Sequence, residues 1–212
     1  MRCFVAIDLP DQVRQAIAAQ QDTFKSAAAA ARTASPAAGP KSSQPDTNAR
    51  QPVSGHAAPR WTRPSGIHLT LKFLGEVPEN QLPKVTQALS ALGPLDPFPI
   101  EIKGFGFFPS PRRPKVFWIG VDAPPALARL AARVERAVAP LGFPPEDRIF
   151  TPHLTLARFP APGPEPTLAA LAEAARDTPL GRFEVSEFFL FQSILSPRGA
   201  EYRKLARFPA LT

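Results

Sequence analysis

The chain has 212 residues, of which 44% are hydrophobic, with 16 phenylalanines and one cysteine, Cys3. This composition is sufficient for a hydrophobic core, and a single cysteine excludes an internal disulfide and a cysteine-based metal site. The formal net charge is +7, but six basic residues and one acidic residue between positions 25 and 63 account for +5 of it. The rest of the chain is nearly neutral, so any anion recognition must come from a few placed groups.

The start of the chain reaches an acid at Asp8 before a signal-length apolar segment develops. No later run approaches the length of a membrane span. We therefore expect a soluble, cytoplasmic protein with no membrane partner.

Hydrophobic periodicity and turn residues predict alternating strands and helices. In chain order, the predicted elements are a strand at 2–8, a helix from 11 to about 24, a strand at 67–74, a helix from 78 to about 92, strands at 98–108 and 115–121, a helix at 124–139, a strand at 153–159, a helix at 166–176, and strands at 182–194 and 201–207.

Residues 26–58 differ from the rest of the chain because they are rich in Ala, Pro and Ser and contain almost no large apolar side chain. Such a segment cannot bury enough surface to offset its ordering entropy. We predict a flexible insertion there, with His56 as a solvated loop residue, although the alanine run at 27–31 is also able to extend the preceding helix.

The most distinctive feature is a tetrapeptide that occurs twice, as His68-Leu69-Thr70-Leu71 and as His153-Leu154-Thr155-Leu156. On a strand, successive side chains point to opposite faces, so each histidine shares a face with its threonine while the leucines share the other. A single His-x-Thr is usually structural, but its duplication in a chain with only three histidines favours a shared functional role.

The tetrapeptides belong to a longer internal duplication. The spacing is 85 residues from His68 to His153 and from Phe98 to Phe183, and 86 from Ser110 to Ser196. The stretch between the first strand and the tetrapeptide is 28 residues longer in the first half than in the second, about the length of the predicted insertion. We predict one domain, 1–212, made of lobes at about 1–112 and 113–212 with approximate two-fold symmetry, and with a possible exchange of C-terminal strands.

Two lobes packed in this way bring both histidines and both threonines to one cleft. Two imidazoles supply an acid and a base near neutral pH, while hydroxyls and the Arg158 guanidinium donate to phosphate oxygens. Arg158 lies five residues beyond His153, so it reaches the cleft only if the strand bulges, twists or ends, and is otherwise an exposed strand-end residue. Metal binding is the competing use, but two neutral ligands without a nearby acid make a poor zinc site.

The sequence resembles the bacterial and archaeal RNA 2′,3′-cyclic phosphodiesterases of the two-histidine phosphoesterase superfamily, formerly named 2′-5′ RNA ligases. The resemblance covers nearly the whole chain outside the predicted insertion. Besides the doubled tetrapeptide, it rests on the runs Met1-Arg2-Cys3-Phe4-Val5-Ala6-Ile7-Asp8, Leu71-Lys72-Phe73-Leu74-Gly75, Ala157-Arg158, Gln192-Ser193 and Gly199-Ala200-Glu201-Tyr202.

The resemblance implies a bilobal α+β fold in which antiparallel sheets line a central cleft and helices lie outside. It further implies hydrolysis of 2′,3′-cyclic phosphate ends of RNA or nucleotides to 2′-phosphomonoesters, without metal or cofactor, and we expect a monomer. In this scheme His68 is the proton donor to the departing 3′ oxygen and His153 is the proton acceptor from water. Thr70 and Thr155 hold the non-bridging oxygens, and Arg158 lies near the phosphate.

Three points stay open from the sequence. The natural reaction is either hydrolysis or 2′-5′ ligation, and a third alternative is a protein that binds RNA ends without catalysis. Aromatic residues near the tetrapeptides stack on bases or pack in the core, and basic turn residues follow an RNA backbone or are merely solvated. These residues are Trp61, Phe150, Phe159, Arg112, Arg113 and Arg198.

Overall fold

The computed structural model describes residues 1–34, 58–161, 163–196 and 199–209, and these residues form an α+β fold, as predicted. The helices are α1 (Asp11–Ala34), α2 (Leu82–Ser90), α3 (Pro125–Val138) and α4 (Pro166–Ala174). The strands are β1 (Arg2–Ile7), β2 (Arg60–Trp61), β3 (Leu69–Glu76), β4 (Phe98–Phe108), β5 (Val116–Asp122), β6 (His153–Arg158), β7 (Pro179–Val185), β8 (Glu187–Ser196) and β9 (Gly199–Pro209). No helix of the described ranges is long and apolar enough to cross a membrane.

One predicted alternative is confirmed and one predicted strand was wrong. Helix α1 continues to Ala34, so the alanine run extends the helix as the sequence allowed, consistent with its high helix propensity, and residues 26–34 are not part of a loop. The rest of that segment, including His56, falls outside the described residues except at its end. The strand predicted at 182–194 is two strands, β7 and β8, which separate at Ser186 without a glycine or proline to mark the break.

The strands form one antiparallel sheet in the order β7-β4-β5-β6-β3-β1-β8-β9, with β2 paired to β6. The order is symmetric about the β6–β3 contact, because β5 and β6 on one side correspond to β1 and β3 on the other. However, β4 from the first half of the sequence pairs with β5, and β8 from the second half pairs with β1. The sheet therefore does not divide near residue 112, since each half of the chain adds a strand to the other half's side.

This strand exchange corrects one correspondence made from the sequence. Phe98 and Phe183 lie on the neighbouring strands β4 and β7, where Ile100 pairs with Phe183. Strands β4 and β7 are therefore neighbours on one side of the sheet, so Phe98 and Phe183 do not occupy symmetry-related positions. The strand that corresponds to β4 by symmetry is β8.

The helices cover one face of the sheet, where the main core lies. The tetrapeptide leucines Leu69, Leu71, Leu154 and Leu156 are all buried there, as the alternation predicted. The other face carries a small aromatic cluster that includes Phe4, Phe189 and Phe191. The leucines thus anchor both central strands to the core and leave the histidine face open.

Candidate active site

The central strands β3 and β6 set the arrangement of the two tetrapeptides. Leu69 pairs with Leu154, and in an antiparallel pair this register places His68 opposite Thr155 and Thr70 opposite His153. All four side chains are half-buried and line one cleft of about 600 Å³. Within the described part of the chain, neither threonine hydroxyl has a hydrogen-bond partner. Two imidazoles and two unengaged hydroxyls therefore alternate across one surface.

A one-residue bulge in β6 brings Arg158 to the same cleft. On the neighbouring strand β5, Trp118 pairs with Thr155 and Val116 pairs with Arg158, so Leu156 is an extra residue on β6. Because Trp118 and Val116 are two residues apart, Thr155 and Arg158 lie on one face. Arg158 lines the cleft and has no ion-pair partner among the described residues. Of the three arrangements that would allow Arg158 to reach the cleft, namely a bulge, a twist or the end of the strand, the structure has the bulge.

Helix α1 supports this bulge through Gln21, whose side chain is fully buried. Its amide nitrogen donates to the carbonyls of Thr62 (2.8 Å) and Leu156 (3.2 Å). The Leu156 carbonyl also accepts from the backbone N–H of Thr62, at 2.8 Å. The extra residue on β6 is therefore held by hydrogen bonds from two directions.

Strand β3 has a corresponding bulge at Leu71. Lys72 pairs with Val5, whereas Thr70 pairs with Ala6, and this shift places Phe73 on the cleft face. Lys72 turns to the opposite face and is buried. Phe73 precedes Arg158 by 85 residues, the same spacing as between the histidines. The cleft therefore carries a benzyl ring at one symmetric position and a guanidinium at the other.

Both imidazoles are oriented by the same backbone contact. His68 Nδ1 lies 2.9 Å from the carbonyl oxygen of Gly66, and His153 Nδ1 lies 2.7 Å from that of Thr151. Because a carbonyl only accepts, Nδ1 carries the proton in each ring, and Nε2 is the nitrogen available for proton transfer.

The surroundings of the two rings differ. His68 stacks on Phe4 with ring centroids 4.4 Å apart and meets the edge of Tyr202 at 5.0 Å, whereas His153 meets the edge of Phe108 at 5.0 Å. Burial among these rings lowers the pKa of His68 to about 4, against the raising effect of its bond to the Gly66 carbonyl. His68 is therefore neutral at pH 7 in the free protein.

The loop before His68 is fixed by Arg14 of α1. Its Nη1 donates to the carbonyls of Pro64 (2.8 Å) and Ile67 (2.9 Å), and its Nη2 donates to Asp8 Oδ1 at 2.5 Å. These contacts lie on both sides of Gly66, the residue whose carbonyl orients His68. Arg14 thus connects the end of β1 to the orientation of an imidazole.

Other residues named from the sequence lie elsewhere. Trp61, Phe150 and Phe159 all pack against the core, and Phe150 also borders a second cavity next to the cleft. Arg112 and Arg113 are exposed on the β4–β5 turn, and Arg198 lies outside the described residues. Among the described residues no three His, Cys, Asp or Glu side chains are grouped as metal ligands.

Sequence reasoning missed the aromatic residues of the cleft. Phe4 and Tyr202 were quoted for the family resemblance, but neither was given a place in the site. The alternation of β1 was a usable signal for Phe4, because Cys3, Val5 and Ile7 form its core side. Tyr202 offered no such signal, since its position depends on the long-range pairing of β8 with β1.

The antiparallel sheet with a His-Thr pair on each of its two central strands is the feature by which this protein can be compared with known protein families. Residues 40–194 match the model of the 2′-5′ RNA ligase superfamily, and the chain belongs to this family. The RNA 2′,3′-cyclic phosphodiesterase of Archaeoglobus fulgidus is 34% identical over 208 residues, which cover 98% of this chain and 99% of that protein. The protein of the same name from Methanothermobacter thermautotrophicus is 31% identical over 209 residues, or 98% of each chain.

A solved structure gives the same assignment. The crystal structure of TT0787 of Thermus thermophilus aligns with a TM-score of 0.69 and 30% identity, covering 99% of this chain and 97% of that one. The resemblance seen in the sequence is therefore confirmed.

Proposed function

We propose that this protein hydrolyses RNA 2′,3′-cyclic phosphate ends to 2′-phosphomonoesters, using two histidines and no metal. The observation that carries the proposal is the arrangement of His68, Thr70, His153, Thr155 and Arg158 on one face of two adjacent strands. The names of the full-length relatives support the substrate class.

The reaction needs one group on each side of the phosphorus. Water attacks and the 3′ oxygen leaves, so a base must take a proton from the water while an acid gives one to the departing oxygen. Following the family resemblance, His153 is the base and His68 is the acid. The hydroxyls of Thr70 and Thr155 and the Arg158 guanidinium donate to the non-bridging oxygens as their charge grows.

The burial of His68 places a condition on this assignment. An acid must enter the reaction as an imidazolium, but His68 is neutral in the free protein because burial lowers its pKa to about 4. A bound anionic phosphate favours the charged form of a neighbouring imidazole and therefore raises this pKa. In the proposed cycle His68 takes up a proton when the substrate binds.

The activity is tested with a 2′,3′-cyclic nucleotide and with a short RNA that ends in the cyclic phosphate, both in excess EDTA. We expect turnover by the wild type and a loss of about 100-fold or more in His68→Ala and in His153→Ala. His56→Ala is the matched control, because His56 is the one histidine outside the tetrapeptides. Loss of wild-type turnover in EDTA, or full activity in both variants, contradicts the proposal.

The roles of the two histidines need a separate test. A cyclic substrate with sulfur in place of the 3′ bridging oxygen has a leaving group that needs no proton. We expect this substrate to restore turnover to His68→Ala and not to His153→Ala. Rescue of His153→Ala alone reverses the assignment without affecting the proposed reaction.

Two other functions can be distinguished from hydrolysis by experiments on the same purified protein. Ligation as the natural direction predicts a 2′-5′ linked product when a 5′-hydroxyl acceptor is present, and the family name gives this direction its support. A module that only binds RNA ends predicts salt-sensitive binding that survives both histidine substitutions, with no turnover. The proposed monomeric state is tested by light scattering on the purified protein.

A further inference from the structure

A second cavity of about 790 Å³ adjoins the catalytic cleft. The two cavities share the lining residues Thr70, Phe73, Val116 and His153. We call the second cavity the outer groove; beyond the shared residues it is bordered by Phe108, Lys115, Glu146, Arg148, Ile149 and Phe150, among others. A ligand that occupies the cleft can therefore continue into the outer groove without leaving the protein surface.

Exposed apolar side chains are concentrated around these two cavities. The described residues include four large hydrophobic side chains that are exposed, namely Phe73, Ile149, Ile194 and Leu195. Phe73 borders both cavities, Ile149 borders the outer groove and Leu195 borders the cleft. Phe73 is 57% exposed and Ile149 is 91% exposed. An apolar surface of this kind next to a catalytic face is typical of a ligand-binding site.

The charge of the outer groove favours a polyanion. The groove contains two acidic residues, Glu135 and Glu146, whose carboxylates lie 3.3 Å and 3.6 Å from the ammonium group of Lys72. The positive charge of this lysine partly compensates both negative charges. Lys115 and Arg148 have no ion-pair partner among the described residues. The five groups together carry one net positive charge, and the two unpaired cations are free to contact phosphates.

The symmetry of the fold places Phe73, which has no hydrogen-bond donor in its side chain, at the position that corresponds to Arg158. The bulges of β3 and β6 place Phe73 and Arg158 at corresponding points of the cleft. Arg158 offers donors to an anion, whereas a half-exposed benzyl ring offers a flat apolar surface. Nucleobases stack on such rings whatever their sequence, and cations beside them contact the connecting phosphates.

We propose that the outer groove binds the nucleotide on the 5′ side of the cyclic end, so that single-stranded RNA is the preferred substrate over a mononucleotide. Phe73 stacks on a nucleobase at the junction of the two cavities, and Lys115 and Arg148 contact the phosphodiester that joins the last two nucleotides. This inference rests on the proposed function, because it extends the substrate of the same site.

The test compares kcat/KM for a dinucleotide ending in a 2′,3′-cyclic phosphate with kcat/KM for the corresponding cyclic mononucleotide, in the same preparation. We expect the wild type to favour the dinucleotide by roughly fivefold to 100-fold, the range expected for one stacked base. Phe73→Leu lowers this ratio towards one because it keeps an apolar side chain and loses the ring, whereas Phe73→Trp preserves the ratio. Arg148→Gln lowers the ratio and weakens its dependence on salt.

Arg129→Gln is the matched control for Arg148→Gln. Arg129 is an exposed arginine of α3 that borders neither cavity, so its substitution leaves the ratio as in the wild type. A wild-type ratio near one overturns the inference, and so does a ratio that is unchanged in both Phe73→Leu and Arg148→Gln.

Failure of the proposed function gives a different result, because the wild type then converts neither substrate. In that case the outer groove is tested by the fluorescence anisotropy of a labelled dinucleotide with a 2′-phosphate end. Binding that weakens in Arg148→Gln and in Phe73→Leu supports the inference, and equal binding by all variants overturns it.

Discussion

Because aromatic rings enclose the half-buried imidazole of His68, we expect the free energy of unfolding to decrease as the pH is lowered from neutral to mildly acidic values. Its pKa is about 4 in the folded protein, below the ordinary value of 6.5, because burial beside Phe4 and Tyr202 disfavours the charged ring. Between these values the unfolded chain binds a proton that the folded protein does not. The free energy of unfolding therefore rises with pH across this window, and the penalty is complete below about pH 4.

The size of the effect follows from the two pKa values. Proton linkage over the whole window amounts to about 3 kcal/mol, most of which is already lost at pH 4.5. For a protein with a typical stability of about 5–15 kcal/mol, this loss is easily measured. Asp8 contributes little within the window. Although burial raises its pKa, the bond from Lys204 and the charge of Arg14 lower the pKa overall to below the usual 3.8.

The assay is denaturant unfolding of the wild type and of His68→Gln at several values from about pH 4.5 to pH 7.5. Glutamine removes the titration while keeping an amide that is able to donate to the Gly66 carbonyl. We expect the free energy of unfolding of the wild type to decrease by about 2–3 kcal/mol more than that of the variant over this range. Equal pH dependence of the two proteins, or an NMR titration that places the His68 pKa at 6.5 or above, refutes the reasoning.

Three further substitutions test the supports of the site. Arg14→Leu removes the donors that hold the loop before His68 and should lower kcat by roughly 10- to 100-fold, with a shift of the His68 ring signals in NMR spectra as the independent readout. Gln21→Leu removes two hydrogen bonds at the β6 bulge; it should cost about 1–3 kcal/mol in urea unfolding and raise KM, because Arg158 loses its fixed position. Gly106→Ala places a methyl group 2.2 Å from the facing indole ring and should destabilise by about 1–3 kcal/mol without a matching change in KM, as checked by thermal unfolding and kinetics.

The parts of the site that the sequence predicted are those fixed by local geometry. Alternation along a strand placed the leucines on the core side and the histidines and threonines on the other, and the structure has this arrangement in both tetrapeptides. The duplication also indicated that the two strands serve one site. Neither statement needed knowledge of which strands pair.

The parts that could not be predicted depend on contacts between distant residues. The bulge that turns Arg158 into the cleft is defined by the pairing of β6 with β5 and is held by Gln21, which lies 135 residues before Leu156. The break at Ser186 has no local signal, because it follows from two strands joining opposite sides of the sheet. The exchange of β4 and β8, which the sequence indicated only as a possibility, likewise preserves every local pattern and changes only the partners.

The same distinction bears on the different roles that we propose for the histidines of two identical tetrapeptides. Each imidazole donates to a carbonyl two residues earlier, so the tetrapeptides alone give both rings the same orientation and tautomer. What differs comes from outside them, namely the aromatic rings around His68 and the Phe73–Arg158 pair. If the base of the preceding nucleotide stacks at Phe73 while the cyclic phosphate binds Arg158, as proposed, the RNA end enters the cleft in one orientation only. In that proposal the departing oxygen meets the same histidine in every turnover, so the orientation of the bound substrate decides which imidazole acts as the acid.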